Sequence, residues 1–402
     1  MTDDLGRKSG SGRVRAGRAP SERSDVASFI VMDVMRAAAE LERQGRSIIH
    51  MEVGQPGTPA PETARAAVRA ALDSETLGYT AALGIDALRA RIAASYRERY
   101  AITVDESRIV VCSGSSAAFL LAFLAVFDAG ARVALPSPGY PCYRHILSAL
   151  GCRTPLIETG PESRWMPTPD DLTALHEREP LDGLLIASPA NPTGTMIEPD
   201  RLAALIGFAD ANGLWFISDE IYHGLTYDAP ATTALSVSDE VIVINSFSKY
   251  HAMTGWRIGW LVVPPALVRT VERLQQNFFI SAPAASQVAA LGSFDGVDEL
   301  ERNRETYARN RALLLDALPG AGLSALAPAD GAFYLYADVS AFTEDALGFA
   351  RAMLEEIGVA VTPGLDFDEA RGNRYLRFSY AGTESDMAEA ARRLKGWPRL
   401  KR

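Results

Sequence analysis

Short apolar runs that alternate with helical segments occupy the middle of this chain. Each run has three or four residues, and together they are residues 109–111, 132–135, 183–186, 214–217, 241–244 and 260–263. Alternation of this kind is typical of right-handed βαβ units, in which helices cover both faces of a mostly parallel sheet. The sequence therefore predicts an α/β fold with a large domain over residues 66–294.

The first five runs all end in small or polar residues. Their ends read SGSSA at 113–117, SPGYPCY at 137–143, SPANPTG at 188–194, SDEIY at 218–222 and NSFSK at 245–249. In open α/β sheets, ligands bind outside the carboxyl ends of the strands. We therefore expect these five loops to converge on one site.

The pattern changes on both sides of this region. Long helical stretches (297–318 and 343–357) surround strand-like runs at 331–339, 359–362 and 375–379, and a helical pattern spans residues 27–43. Runs of this kind predict a smaller α+β domain, built from residues 25–65 and 295–402. Residues 1–24 are rich in Gly, Ser and Arg, which predicts a disordered tail.

Composition narrows the class of partner. The formal net charge is −10 with no basic stripe, so the overall field repels nucleic acid and anionic membranes. No apolar run reaches the roughly 18 to 20 residues that a membrane span requires. The five histidines lack metal-ligand spacing, and the three cysteines lack C-x-x-C spacing, which favours a reduced cytoplasmic setting. We therefore expect small-molecule chemistry without a metal.

A lysine and an arginine follow the fifth run, in the stretch VIVINSFSKYHAMTGWRIG. An unperturbed lysine has a pKa of roughly 10.4, so only about one in a thousand is a free amine at pH 7. Burial, or a cation such as Arg257, would lower the pKa of Lys249 and favour a nucleophile. A lone lysine after a strand is far more often a solvated surface group. Both interpretations stay open at this point.

The motifs SPANPTG, SDEIY, SFSK followed seven residues later by RIG, and YLRFSYA occur in this order along the chain. In order and spacing they resemble the fold type I, class I/II aminotransferases, which use pyridoxal 5'-phosphate. The resemblance runs from about residue 28 onward. It implies a ping-pong exchange of an amino group between an amino acid and a 2-oxo acid, with the cofactor bound in the large domain.

The resemblance also implies roles for the residues around the cofactor ring. Lys249 corresponds to the lysine that forms an imine with the cofactor aldehyde and moves the substrate proton. Asp219 corresponds to the carboxylate that keeps the pyridine nitrogen protonated. Asn191 and Tyr222 match the groups that hydrogen-bond the ring oxygen O3', and Tyr140 matches an aromatic side chain stacked on the ring. Taken alone, each has an ordinary structural explanation as a helix cap, a turn residue or a core aromatic.

An anion site is implied next to the ring. Gly114, Ser115 and Ser116 precede an apolar helical stretch whose free N–H groups would favour a phosphate, although a simple capping turn explains them as well. The resemblance adds Ser246 and Arg257 to this phosphate site.

The remaining implied residues concern the substrate and a second subunit. Arg377 lies where the family binds the substrate α-carboxylate, and Asn191 and the backbone of Gly54 lie beside that carboxylate. An arginine on a strand is otherwise usually structural. Tyr79 matches a tyrosine that reaches the phosphate of the other subunit's cofactor, which implies a homodimer with active sites at the subunit interface.

Substrate identity is left open by the sequence. Some relatives that use aspartate carry a lysine at the position of Ser116, so the neutral hydroxyl disfavours an acidic donor without excluding it, and a second arginine could enter from the partner chain. Neutral or hydrophobic donors, with 2-oxoglutarate or pyruvate as acceptor, are therefore open as well. A C–S or other α,β-lyase on the same fold is the alternative enzyme. A cofactor-binding regulator is a further hypothesis, but it would need a DNA-binding module of roughly 60 or more residues, and only a short polar segment precedes the first predicted helix.

Overall fold

A computed structural model describes residues 19–401 of the chain, in which helices and strands alternate. The helices are α1 Ile30–Arg43, α2 Glu62–Ser74, α3 Asp86–Tyr100, α4 Ser115–Val126, α5 Cys142–Ala149, α6 Pro169–Arg178, α7 Pro199–Asn212, α8 Val268–Phe278, α9 Ala284–Ser293, α10 Val297–Gly320, α11 Ala346–Ile357 and α12 Glu384–Gly396. The strands are β1 Ile49–His50, β2 Ile109–Cys112, β3 Val133–Ser137, β4 Leu156–Glu158, β5 Gly183–Ala187, β6 Trp215–Asp219, β7 Ile242–Ser246, β8 Gly259–Val262, β9 Tyr334–Asp338, β10 Val359–Ala360, β11 Thr362–Pro363 and β12 Tyr375–Ser379.

Seven strands form the central sheet in the order β2-β8-β7-β6-β5-β3-β4. All of them run parallel except β8, which is antiparallel to both of its neighbours. This confirms the prediction of an α/β fold with a mostly parallel sheet. The sequence pattern did not predict the edge strand β4, because only Ile157 of its three residues is buried and the hydrophobic signal is correspondingly weak.

The apolar runs are continuous because helices cover both faces of this sheet. In β7, Val243 belongs to the apolar cluster on one face, whereas Ile242 and Ile244 belong to the cluster on the other. Packing on both faces therefore holds such a strand in place up to its last residue. The loop that follows starts from a fixed point at the carboxyl edge of the sheet.

A smaller antiparallel sheet has the order β11-β12-β9, and β1 pairs in parallel with β10. The prediction of a single strand at 359–362 is wrong. Two short strands occupy this region, because β10 pairs with β1 whereas β11 pairs with β12. The β1 pairing joins the N-terminal segment to the C-terminal part of the chain. The domain limits at 65/66 and 294/295 stay a prediction.

The predicted disordered tail covers residues 1–24, and its first 18 residues lie outside the described part of the chain. Within the part that is described, Glu22–Ser24 form one 3-10 turn, and α1 begins three residues later than the helical pattern predicted. Among residues 19–401, no helix combines the length and the apolar character needed to cross a membrane.

Candidate active site

The polar loops at the carboxyl edge of the central sheet surround a cavity of about 540 Å³. The small antiparallel sheet closes one side of it and α1 another. The predicted site residues that line it are Gly54, Ser115, Ser116, Tyr140, Asn191, Tyr222, Lys249, Arg257 and Arg377. Gly114, Asp219, Ser246 and Tyr79 do not line the cavity of this chain.

Lys249 lies where β7 gives way to its loop, with its amine inside the cavity. Its Nζ donates a hydrogen bond of 2.7 Å to the carbonyl oxygen of Gly54. Burial lowers the pKa of Lys249 to about 8; the cations Arg377 and Arg257 act in the same direction, and Asp219 opposes them. The amine is therefore much closer to its neutral, nucleophilic form at pH 7 than an exposed lysine is.

Asp219 is the last residue of β6, is buried, and contacts a residue of the cavity lining. Tyr143, which does line the cavity, donates a hydrogen bond to its Oδ2, and the N–H of Ile221 donates to Oδ1 at 3.1 Å. Burial raises the pKa of Asp219 to about 6, and these two hydrogen bonds act in the opposite direction. The sequence interpretation missed Tyr143, although the motif SPGYPCY that supplied Tyr140 contains it.

A cradle of backbone N–H groups and one guanidinium forms where α4 begins. Gly114 has a φ of +82°, and a Cβ at this position would lie 2.5 Å from Nη2 of Arg257, so only glycine fits. No side chain caps α4, which leaves its first N–H groups free of a side-chain acceptor. Free N–H groups beside a cation suit a phosphate.

Ser246 is placed differently from its neighbours in the predicted phosphate site. Its Oγ lies 2.8 Å from Oγ of Ser248 and 3.1 Å from the carbonyl oxygen of Ile258, and Ser248 is the serine that lines the cavity. The sequence interpretation missed Ser248 and Thr254. Thr254 also lines the cavity, and its carbonyl oxygen accepts a 2.9 Å hydrogen bond from Arg257.

Arg377 projects from β12 and is only 4% exposed. Its Nη1 donates to Oδ1 of Asn191 at 2.9 Å, and its Nη2 donates to Oγ1 of Thr362 at 3.1 Å and to the carbonyl oxygen of Glu52. Its Nε has no partner within the described part of the chain. A buried N–H that lacks an acceptor fits an anion supplied by a ligand.

Two tyrosines share a hydrogen bond at the cavity wall. The hydroxyl oxygens of Tyr222 and Tyr334 are 2.6 Å apart, and burial raises the pKa of both phenols. A Cβ at Gly54 would lie 1.8 Å from the Tyr334 hydroxyl, so a glycine is required there. Nothing local in the sequence marks Tyr334, which opens an apolar strand.

Apolar side chains also line the cavity. Phe29, Val31, Met32 and Met35 come from α1 and the residue before it, and Val53 and Ile221 come from other segments. The sequence pattern predicted α1 but gave it no role in the site. No Asp or Glu among residues 19–401 lines this cavity, and its cations are Lys249, Arg257 and Arg377.

Comparisons with known proteins agree with this geometry. The family model "Aminotransferase class I and II" matches residues 46–394. The valine–pyruvate aminotransferase of Mycobacterium tuberculosis is 52% identical over 379 residues, which cover 93% of this chain and 97% of that protein. A crystal structure of an aminotransferase from Mycobacterium tuberculosis has a TM-score of 0.92 at 51% identity and covers 94% of this chain and 99% of that one. Aspartate aminotransferase from Thermus thermophilus with maleate has a TM-score of 0.88 at 31% identity, with the same coverage.

Fold, cavity and relatives together define an enzyme of the aspartate aminotransferase-like fold, in which pyridoxal phosphate is the family's cofactor. The chain belongs to the class I and II aminotransferase family. It is a transaminase, which exchanges an amino group between an amino acid and a 2-oxo acid. Membership of this family supports amino transfer and not the α,β-lyase alternative.

Proposed function

We propose that this transaminase binds pyridoxal 5'-phosphate in the 540 Å³ cavity and uses a neutral, apolar amino acid as donor and pyruvate as acceptor. We further propose that it works as a homodimer in the cytoplasm. The observation that carries the substrate assignment is the cavity lining, which combines three cations with apolar side chains from α1 and, among residues 19–401, has no carboxylate.

The residues around the cavity fit the cofactor. The cradle of Gly114, Ser115 and Ser116 with Arg257 would hold its phosphate, with Ser246 supporting the cradle through Ser248. Asp219 would pair with the ring nitrogen, and Tyr143 holds that carboxylate in place.

Three further predicted residues lie on the cavity wall. Asn191 and Tyr222 would hydrogen-bond the ring oxygen, and Tyr140 would lie against the ring. When bound, the cofactor supplies the electron sink that makes the substrate Cα–H acidic.

Lys249 would join the cofactor aldehyde and then move the substrate proton. Because burial lowers the pKa of its amine to about 8, Lys249 can hold or release a proton near neutral pH. The Gly54 carbonyl oxygen, 2.7 Å from Nζ, fixes the direction of the side chain. A base that is already oriented loses little entropy during proton transfer.

Arg377 would bind the substrate α-carboxylate through its unpaired Nε–H, with Asn191 and Gly54 beside it. Arg257 would hold the phosphate, and Lys249 the aldehyde. This leaves no cation of the described chain on the cavity lining for a distal carboxylate. An acidic donor, or 2-oxoglutarate as acceptor, would therefore bury a carboxylate without a cation from its own chain, which is costly unless the other subunit supplies one.

The apolar part of the cavity supports a donor with a hydrocarbon side chain. Valine is our first candidate, because the relative at 52% identity is a valine–pyruvate aminotransferase. Pyruvate has a methyl group where 2-oxoglutarate has a charged arm, so it fits the same wall.

A patch of exposed apolar side chains supports the homodimer. Tyr79, Phe278 and Ile280 are 86%, 55% and 48% exposed. Their two segments lie together, since the N–H of Thr80 donates to Oγ of Ser281 at 3.4 Å. A patch of this kind on a folded chain marks a protein–protein contact. The cytoplasmic assignment rests on the three cysteines, all free thiols in the described chain.

Absorbance spectroscopy of the purified protein tests the proposed function. We expect an absorbance band from the imine of Lys249 with the cofactor, which Lys249→Ala abolishes and which valine, leucine and alanine bleach. Aspartate and glutamate should bleach it far more slowly. Protein that takes up no cofactor would overturn the cofactor assignment, and preferential reaction with aspartate would overturn the donor class.

A further inference from the structure

The first turn of α1 is held by a side chain from the far end of the chain. Oδ1 of Asp366 accepts a hydrogen bond from the N–H of Ile30 at 2.8 Å, and Oδ2 accepts one from the N–H of Val31 at 2.9 Å. Phe29, at the N-cap position, makes no capping hydrogen bond with its own side chain. Asp366 is therefore the cap of α1, with its negative charge at the positive end of the helix dipole.

The first two turns of α1 and the residue before them carry much of the apolar wall. Val31, Met32 and Met35 line the cavity from α1, and Phe29 lines it from the residue before the helix. Within α1 only Ala38 is fully buried, and it packs in the second half of the helix. Val34 and Leu41 are partly buried against the same cluster as Ala38, so packing continues into the first half of the helix, while the N–H groups of Ile30 and Val31 have Asp366 as their acceptor.

Asp366 itself is rigidly placed. Asp366 is only 4% exposed, and its backbone carbonyl oxygen accepts a 3.0 Å hydrogen bond from Nη2 of Arg144 in α5. The next residue, Phe367, receives a 3.0 Å hydrogen bond from the N–H of Gly139 and has its ring 4.8 Å from the guanidinium of Arg377. The loop that holds α1 therefore also contacts the arginine assigned to the substrate carboxylate.

We propose that Asp366 is a positioning residue for donor selection, which holds the apolar wall at a fixed distance from Arg377. This inference rests on the proposed function, in which the donor carboxylate lies at Arg377. Val31, Met35 and Arg377 line one cavity, so the side chain of a valine held by its carboxylate at Arg377 would gain contact area with the wall. The single methyl group of alanine gains much less, because the hydrophobic contribution grows with buried area. Asp366 thus acts on the choice of donor without touching it.

Asp366→Asn tests this role, because it removes the charge and one of the two acceptors while keeping the size. We expect kcat/KM for valine to fall about tenfold, mainly through KM, in line with the loss of a helix cap. For alanine we expect a change of less than about twofold, because it makes little contact with the wall. Asp345→Asn is the matched control: Asp345 caps α11, accepting from the N–H of Gly348 at 2.9 Å, and does not line the cavity.

Hydrogen exchange on the cofactor-free protein gives a second readout. In Asp366→Asn, the amides of residues 30–35 should exchange faster, while those of α11 should not change. Met35→Ala keeps the cap and shortens the wall, so it should raise KM for valine without changing the exchange.

Two results for Asp366→Asn would overturn the inference: an unchanged ratio of kcat/KM for valine to kcat/KM for alanine, or unchanged hydrogen exchange at residues 30–35. Wild-type protein that reacts with neither donor would instead overturn the proposed function, whereas the exchange result stands on its own.

Discussion

Nζ of Lys249 donates a 2.7 Å hydrogen bond to the carbonyl oxygen of Gly54, a residue 195 positions earlier in the chain. The contact joins the loop after β7 of the central sheet to the segment after β1. It holds the amine inside the cavity at a point where Gly54 has no room for a side chain. One contact thus places the amine of Lys249 next to the segment that we propose binds the substrate.

The pH dependence of cofactor capture should report on Lys249. Since only the neutral amine attacks an aldehyde, the rate at which cofactor-free protein takes up pyridoxal phosphate should rise from pH 7 and level off above a pKa of about 8. An ordinary lysine would give a rate that rises toward roughly pH 10.4. Stopped-flow absorbance measures this rate.

A variant that removes a positive charge tests why the pKa of Lys249 is lowered. Arg377→Leu removes a cation that lowers the pKa of Lys249, so the pKa should rise and capture at pH 7 should slow several-fold. Arg374→Leu, an exposed arginine paired with Asp338, should have no effect. A rate that is flat between pH 7 and 9 in wild-type protein would contradict the prediction.

Tyr143→Phe should weaken cofactor binding by roughly tenfold, since a hydrogen bond to a charged group contributes about 1.5 kcal/mol or more. The hydroxyl lowers the pKa of Asp219, so its loss raises that pKa further above the value of about 6. More of Asp219 is then protonated at pH 6.5 than at pH 8, and the loss of affinity should be larger at the lower pH.

Fluorescence titration with the cofactor at the two pH values measures this difference. Tyr96→Phe is the control, because that hydroxyl is buried but pairs with Nε1 of Trp260 at 3.2 Å. Equal losses at both pH values would show that Tyr143 does not act through Asp219.

Arg377→Lys should lower kcat/KM for the donor by roughly 100-fold, because an ammonium cannot reproduce a planar guanidinium that holds several acceptors at once. Its hydrogen bonds to Asn191 and Thr362 would also be lost in part. Single-turnover reaction with valine measures the effect. Arg374→Lys on the neighbouring exposed position is the control, and equal activity of the two variants would refute the assignment.

Co-expression of two inactive variants should test the shared site. In the proposed dimer each site uses Lys249 of one subunit and Tyr79 of the other. A heterodimer of Lys249→Ala with Tyr79→Ala therefore has one site with both residues intact and one site with neither. Random pairing would restore about a quarter of wild-type activity, because half of the dimers are then heterodimers with one good site each.

The control for this experiment pairs Lys249→Ala with Arg377→Ala. Both of these residues line the cavity of their own chain, so no intact site can form. Activity in the control pair, or none in the Tyr79 pair, would show that Tyr79 does not complete a partner's site.

Local pattern predicted most of the fold. The run at 375–379 was predicted as a strand and is found as β12, and the five polar loops were predicted to meet and do surround one cavity. These predictions succeed because a strand buried on both faces leaves a continuous apolar run, and because parallel strands bring their carboxyl ends to one edge of the sheet. The edge strand β4 and the split between β10 and β11 were missed, because partners elsewhere in the chain decide them.

The sequence by itself determined the kinds of groups in the site. Residue type and motif order fix an amine after a strand, a carboxylate at the end of another and an arginine within an apolar strand. Only the tertiary structure decided which further groups complete it. Tyr143 reaches Asp219, Tyr334 reaches Tyr222, and Asp366 caps a helix 336 residues earlier in the chain. Such contacts leave no local signal, because each partner alone is an ordinary tyrosine or aspartate until chain folding brings them together.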